Sequence, residues 1–246
     1  MQMFEYRANF FFWSFVSMMW TVFNLFFYSI LLQTSGNIAG WSPNEMYILL
    51  GTFTMIDAFT WSFFYHNMSE YTASIFNGTM TLTLTRPIQP QFLISVQGNS
   101  YTNIPRFFIG LFVLVKAVVD EGLALSLSSV GMYVAVFLIS LLFIYSLWFF
   151  IATCSFWVDK LDNINELVPV TRRVWQVPRD VYTGLASTLF TVALPLSLIA
   201  SLPSEALLGR ASSGWVWYYL AFTLAIFAVS HFFFKLSVKK YTGIAN

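Results

Sequence analysis

Six long apolar runs, separated by stretches where small polar residues, prolines and charges collect, set the rhythm of this 246-residue chain. They cover residues 9 to 33, 45 to 66, 104 to 119, 129 to 157, 182 to 201 and 214 to 234. A helix needs roughly 20 apolar residues to cross a bilayer, and most of these runs come near or pass that length. The third is the shortest and carries Lys116, but Asn103 and Pro105 supply a helix start and a lysine can snorkel outward along its own stem. The pattern predicts an all-α membrane protein, six transmembrane helices in a single domain that fills 1 to 246.

Composition agrees with the pattern. With 58% hydrophobic, 20% aromatic and 9% charged residues, there are too few charges to clothe a soluble globule of this size. A net charge of +1, with no Arg/Lys cluster interleaved with aromatics, leaves nucleic-acid binding without an electrostatic basis. The single cysteine, Cys154, sits in "WFFIATCSFW", where a thiol acts as a small hydrophobe. The start could be read as a secretory signal, but 9 to 33 is too long for such an apolar region and no small-residue cleavage site follows, so it is expected to stay as the first span.

Orientation follows from the arginines and lysines, because short loops rich in them stay in the cytosol. With the N-terminus inside, Arg7, Arg86, Arg106, Lys160, Arg172, Arg173, Arg179, Lys235, Lys239 and Lys240 all fall on the cytosolic side. Only Arg210 lies in an outside loop, and Lys116 is near the outer end of its span. Both termini are then cytosolic, residues 67 to 103 form one long cytosolic connection, and 158 to 181 form a second. In the second, Ile164, Leu167, Val168, Val174, Trp175 and Val181 approximate a helical stripe broken at Pro169 and Pro178, which fits an interfacial segment lying on the membrane; an ordinary loop is the alternative. Two sequons, at Asn67 and Asn77, fall on the cytosolic side and are read as chance.

Several chemistries have no candidate residues. There is no G-x-x-x-x-G-K-[ST] loop to wrap a nucleotide's phosphates, no nucleophile elbow, and no metal-ligand spacing around the two histidines, His66 and His231. No two halves of the chain resemble one another in the manner of many secondary transporters. What does stand out is "GTMTLTLTRPIQPQFL", residues 78 to 93, where small polar residues, one arginine and two prolines interrupt the apolar run. Proline pushes the preceding residue out of the helical region, so any helix here ends by Arg86. The residues allow a short, stiff, partly apolar knob beneath the membrane, or a surface loop anchored by Phe92 and Leu93.

Asp57 lies inside the second run, where a carboxylate costs about 2.5 to 3.5 kcal/mol on insertion scales unless it is neutral or paired. It is a candidate pathway residue together with Thr60, or else a structural acid bonded across a helix interface with Asn24, Thr54 or Thr60 as partner; Lys116 is placed too far outward to pair with it. The aromatic clusters, such as "NFFFWSF" and "HFFFK", read as lipid-facing and interfacial rings, some of which could line an apolar cavity.

Taken in order, several stretches resemble the permeases of ATP-binding-cassette (ABC) type-2 exporters, in particular the bacterial branch described as ABC-2 family transporter protein. They are "YRANFFFWSF" at 6 to 15, "IAGWSPNEMYILLGTF" at 38 to 53, "FNGTMTLTLTRPIQPQFLIS" at 76 to 95, "FWVDKLDNINEL" at 156 to 167, "VPRDVYTG" at 177 to 184, "LPLSLIASLPSEALLGR" at 194 to 210, and the terminal "KKYTGIAN". The resemblance runs almost end to end. One departure is the start, where only Met1 to Asn9 precede the first span and the branch has a longer amphipathic segment.

The resemblance implies an ABC-2-type (type V exporter-like) permease fold in the bacterial plasma (inner) membrane. It implies half a transporter, paired with a second permease, identical or homologous, and with two separate ABC ATPase subunits that bind the ATP and Mg²⁺; no cofactor is expected in this chain. Residues 78 to 90 would couple to those subunits, with Gly78, Leu82, Leu84, Arg86 and Pro87 at the core of the contact. Residues 202 to 212, with Pro203 and Glu205, would form an outer re-entrant segment that lines or gates the exit; a plain outside turn is the alternative. Two other functions compete with the ATP-driven exporter: a stand-alone ion-coupled secondary transporter that uses Asp57, and a scaffold that transports nothing.

Overall fold

The computed structural model describes residues 7–158 and 164–241, and in them the chain is mostly helical, with no strand beyond an isolated bridge between Ile38 and Trp41. Lys160, the residues ahead of Arg7 and most of the terminal "KKYTGIAN" lie outside the described residues. In chain order the principal helices are α1 (Arg7–Ser35), α2 (Pro43–Phe76), α3 (Met80–Leu84), α4 (Pro90–Val96), α5 (Ile104–Asp120), α6 (Leu127–Thr153), α7 (Gly184–Ala193), α8 (Leu198–Leu207) and α9 (Ser213–Lys240).

Local chemistry explains where α2 begins. Ser42 accepts a hydrogen bond from the Glu45 N–H, and the Glu45 carboxylate accepts one from the Ser42 N–H at 2.8 Å, so two amides with no partner in the helix are satisfied at once. Pro43 occupies the first turn, where its missing N–H costs nothing. From there α2 runs for 34 residues, roughly 51 Å, well beyond the ~30 Å of a bilayer core. Its antiparallel neighbour α5 accompanies only the first part. They cross at Gly51 and Gly110, so closely that a methyl group added to Gly51 would lie 2.8 Å from the Gly110 carbonyl oxygen. The run expected at 45 to 66 therefore continues ten residues further, and the last four turns project past the start of α5.

Within α2 the helix widens to a π turn over Trp61–Tyr65. Such a turn leaves a carbonyl free for an outside partner, and the Ser62 carbonyl accepts the Ser100 N–H at 2.8 Å, which ties the returning chain to the helix.

The second connection packs along the side of the bundle. The 164–181 segment does not lie across one end of the bundle; it climbs along α2. Asn165 donates to Thr72 at 2.5 Å, Glu166 accepts from Tyr65 at 2.9 Å, and Arg172 reaches Asp57. Further on, Gln176 accepts from Tyr28 at 2.8 Å and Asp180 accepts from the Trp41 indole at 3.0 Å. Pro169 and Pro178 break it into short turns, as expected, but buried Ile164, Val168 and Trp175 face protein. Leu167, Val170 and Val181 stay exposed, so the segment carries apolar residues on its outer face as well.

The run at 182 to 201 is likewise not one straight helix. α7 and α8 meet at a bend of 82°, and every residue of α8 is buried. Among the described residues, five helices are long and apolar enough to cross a membrane, six if the bent pair counts as one. The core sits where α2, α6 and α8 meet, around Ile48, Ile56, Val136, Phe143, Ile199 and Leu202.

Candidate functional site

Asp57 is fully buried on α2, and its partners are arginines. The Arg106 guanidinium, brought in by the first turn of α5, and the Arg172 guanidinium, brought in by the 164–181 segment, both pair with its carboxylate. Arg172 also stacks over the Trp61 ring, 5.5 Å from its centroid. The partners proposed from sequence are elsewhere: the Thr54 and Thr60 hydroxyls donate to the carbonyls of Leu50 and Ile56 in their own helix. Lys116 lines a separate groove with Asp120.

Charge counting along the chain does not foresee these pairings, for a physical reason. It places Arg106 at the cytosolic end of the third run and Arg172 and Arg179 in the second cytosolic connection, because unpaired cations belong at the membrane surface. Here Arg106 and Arg172 are compensated by Asp57, and Arg179 by Glu205, so all three sit against the body of the protein. The sequence signal that could have found them was the acids: Asp57 and Glu205 within apolar runs require a partner, and an arginine is the strongest available.

Glu205 occupies α8, 3% exposed, accepting from Arg179 Nε at 2.9 Å and from Ser201 at 2.9 Å. Arg179 in turn lies over the Trp215 ring, 4.9 Å from its centroid. Pro203 stands within α8, where it removes one amide donor from the helix. Nearby, Arg210 pairs with Glu45, one of its contacts being 3.1 Å, so the arginine that lies in the predicted outside loop is also compensated.

Arg106, Arg172 and Arg173 line a cavity of about 780 Å³ between α1, α2, the start of α5 and the 164–181 segment. Trp20, Phe27 and Phe53 add apolar surface to its wall, and Thr21, Asn24 and Tyr28 add polar groups.

The stretch at 78 to 90 lies at the far end of α2. Gly78 has φ of 71°, a left-handed turn that suits glycine, and the chain reverses there into α3. Met80 and Thr83 are buried against the hairpin, Leu84 is half-buried, and Leu82 stands 67% exposed. Residues 85–89, including Arg86 and Pro87, are exposed, and Pro90 then opens α4. The Arg86 side chain makes no ion pair with any described residue. Asn67, the first sequon, is buried: its amide donates to the carbonyls of Phe63 and Ser95, and its oxygen accepts the Gly98 N–H.

The model of the ABC-2 family transporter protein family matches residues 18–245. The chain belongs to that family. No curated protein and no solved structure matches it closely enough to add to this. It is thus an ABC transporter permease, a multi-pass membrane protein that partners with ABC ATPase subunits.

Proposed function

We propose that the chain is the transmembrane subunit of an ATP-driven exporter, one of two permeases that enclose the substrate pathway in a bacterial plasma membrane, with both termini in the cytosol. Two separate ATPase subunits bind ATP and Mg²⁺ and drive it through residues 78–90. The observation that carries this reading is mechanical. The exposed tip, with Leu82, Arg86 and Pro87 outward, is joined through a tight glycine turn to a helix that runs unbroken in chain direction to the bundle core. A push on such a tip is transmitted along a stiff rod, where a free loop would absorb it.

In this scheme Pro203 and Glu205 hold the outer gate. They belong to a buried helix bent back on its neighbour, and the pair Glu205–Arg179 latches it. Asp57, engaged by two guanidiniums, is poorly placed to carry a proton, which favours this reading over an ion-coupled transporter.

The test is co-purification with candidate cassette ATPase subunits. Arg86→Glu, or deletion of residues 78–90, should reduce recovery of the ATPase at least about tenfold, the effect of losing and reversing a charge-assisted contact. A cysteine replacing Thr85 should resist an impermeant maleimide in intact cells and react in inside-out vesicles. Undiminished recovery, or labelling from outside, would overturn the coupling assignment.

A further inference from the structure

We propose that the cavity between α1, α2 and the 164–181 segment binds an amphipathic anion: a ligand with a phosphate headgroup and an apolar tail. The reasoning begins with charge. Three guanidiniums, those of Arg106, Arg172 and Arg173, line the cavity, and no carboxylate does. Asp57 lies behind them and compensates one unit of charge, shared between Arg106 and Arg172. An excess of two positive charges is left beside the middle of α1, a 29-residue apolar helix. Arg173 is exposed, but Arg106 and Arg172 share one carboxylate in largely buried surroundings, and an anion entering the cavity would complete their compensation.

The donors are also incompletely used. Arg106 is about nine-tenths buried, and its Nε has no hydrogen-bond partner among the described residues. Gln176 accepts the Tyr28 hydroxyl through its amide oxygen, which leaves its NH₂ free to donate at the cavity wall. Arginine presents several N–H groups in a planar fork that matches the oxygens of a phosphate, and a group of three offers more donors than one carboxylate could use.

The lining also offers apolar surface. Trp20 and Phe27 come from α1, whose most apolar stretch is only 11% buried, and Phe53 comes from α2. The site therefore offers cations to a headgroup and aromatic surface to a chain, and its 780 Å³ is within the usual size of a small-molecule pocket. Such a ligand could be an anionic lipid of the bilayer or a phosphate-bearing solute in transit; the recognition chemistry is the same.

Binding is measured on the isolated permease in detergent, so the outcome does not depend on whether an ATPase docks at residues 78–90. Native mass spectrometry, with dioleoyl phosphatidylglycerol titrated against dioleoyl phosphatidylcholine, should show about a tenfold preference for the anionic lipid. Arg173→Gln should abolish most of that preference, and Arg173→Lys should restore part of it. Because Arg173 is exposed and makes no ion pair with a described residue, the melting temperature should stay unchanged in both variants. Displacement of the lipid by millimolar inorganic phosphate would mark the headgroup as sufficient and point to a free phosphate compound; failure to displace it would mark the tail as required and point to lipid. Equal retention of the two lipids, or a preference that survives Arg173→Gln, would overturn the proposal.

Discussion

At Asp57, α2 is closed off by protein on every side; three turns beyond the π turn, the same helix leads into a hairpin whose tip faces outward with nothing over it. Both regions hold an arginine that charge counting assigns to the cytosol. Arg106 is buried against Asp57, whereas Arg86 is exposed with no ion pair among the described residues. The contrast separates two uses of charge. In the closed region a cation is a condition of folding, because Asp57 cannot sit in an apolar core alone. At the tip a cation has no structural task, and its value lies in what it can meet. α2 is 72% buried over its most apolar stretch and α1 only 11%, so the bundle's cohesion rests on the first and not the second.

Substitutions can break that contrast at graded strengths. The largest effect is expected at Asp57→Ala, which strands two guanidiniums at once. A loss of about 3–5 kcal/mol follows from removing one partner of a buried pair, and the folded fraction recovered by size exclusion after heating should fall steeply. Next is Gly51→Val. Its side chain would press on the Gly110 carbonyl and the Leu114 amide, each 2.8 Å from the Cβ position, at a cost of about 1–3 kcal/mol and a lower melting temperature. A smaller effect, about 1 kcal/mol, is expected for Ser42→Ala, which deletes the cap at the start of α2. Smallest for stability is Arg86→Glu, within about 0.5 kcal/mol of the parent, even as it cuts ATPase recovery at least about tenfold. A destabilisation by Arg86→Glu comparable to that of Asp57→Ala would erase the distinction between the two regions.

Much of the helical content could be read along the chain. The apolar runs at 9 to 33, 104 to 119, 129 to 157 and 214 to 234 fall on α1, α5, α6 and α9, because a long apolar run has few ways to satisfy its backbone except as a helix. The two prolines of 164–181 and the glycine turn at 78 were equally visible, since both act on their own backbone. The path of 164–181 was not visible. Its apolar positions, spaced as in an interfacial helix, serve equally well to face protein, and periodicity does not say which surface lies opposite. The bend between α7 and α8 was hidden for a similar reason: hydropathy averaged over 182 to 201 is indifferent to direction.

The candidate site shows the same division. Asp57 was legible as an anomaly, but its partners lie 49 and 115 residues away, and no local pattern joins them. The arginine-lined cavity emerges only when α1, α2 and the 164–181 segment are brought together.

By itself, the sequence determined that this chain lives in a membrane, that it is built of helices, and which positions turn it, because hydrophobic length, helix caps and backbone freedom are properties of neighbouring residues. Only the tertiary structure decided which charges are inside and which remain free. That choice depends on distances between residues far apart in the chain, and burial makes those distances matter by weakening the solvent that would otherwise screen each charge alone.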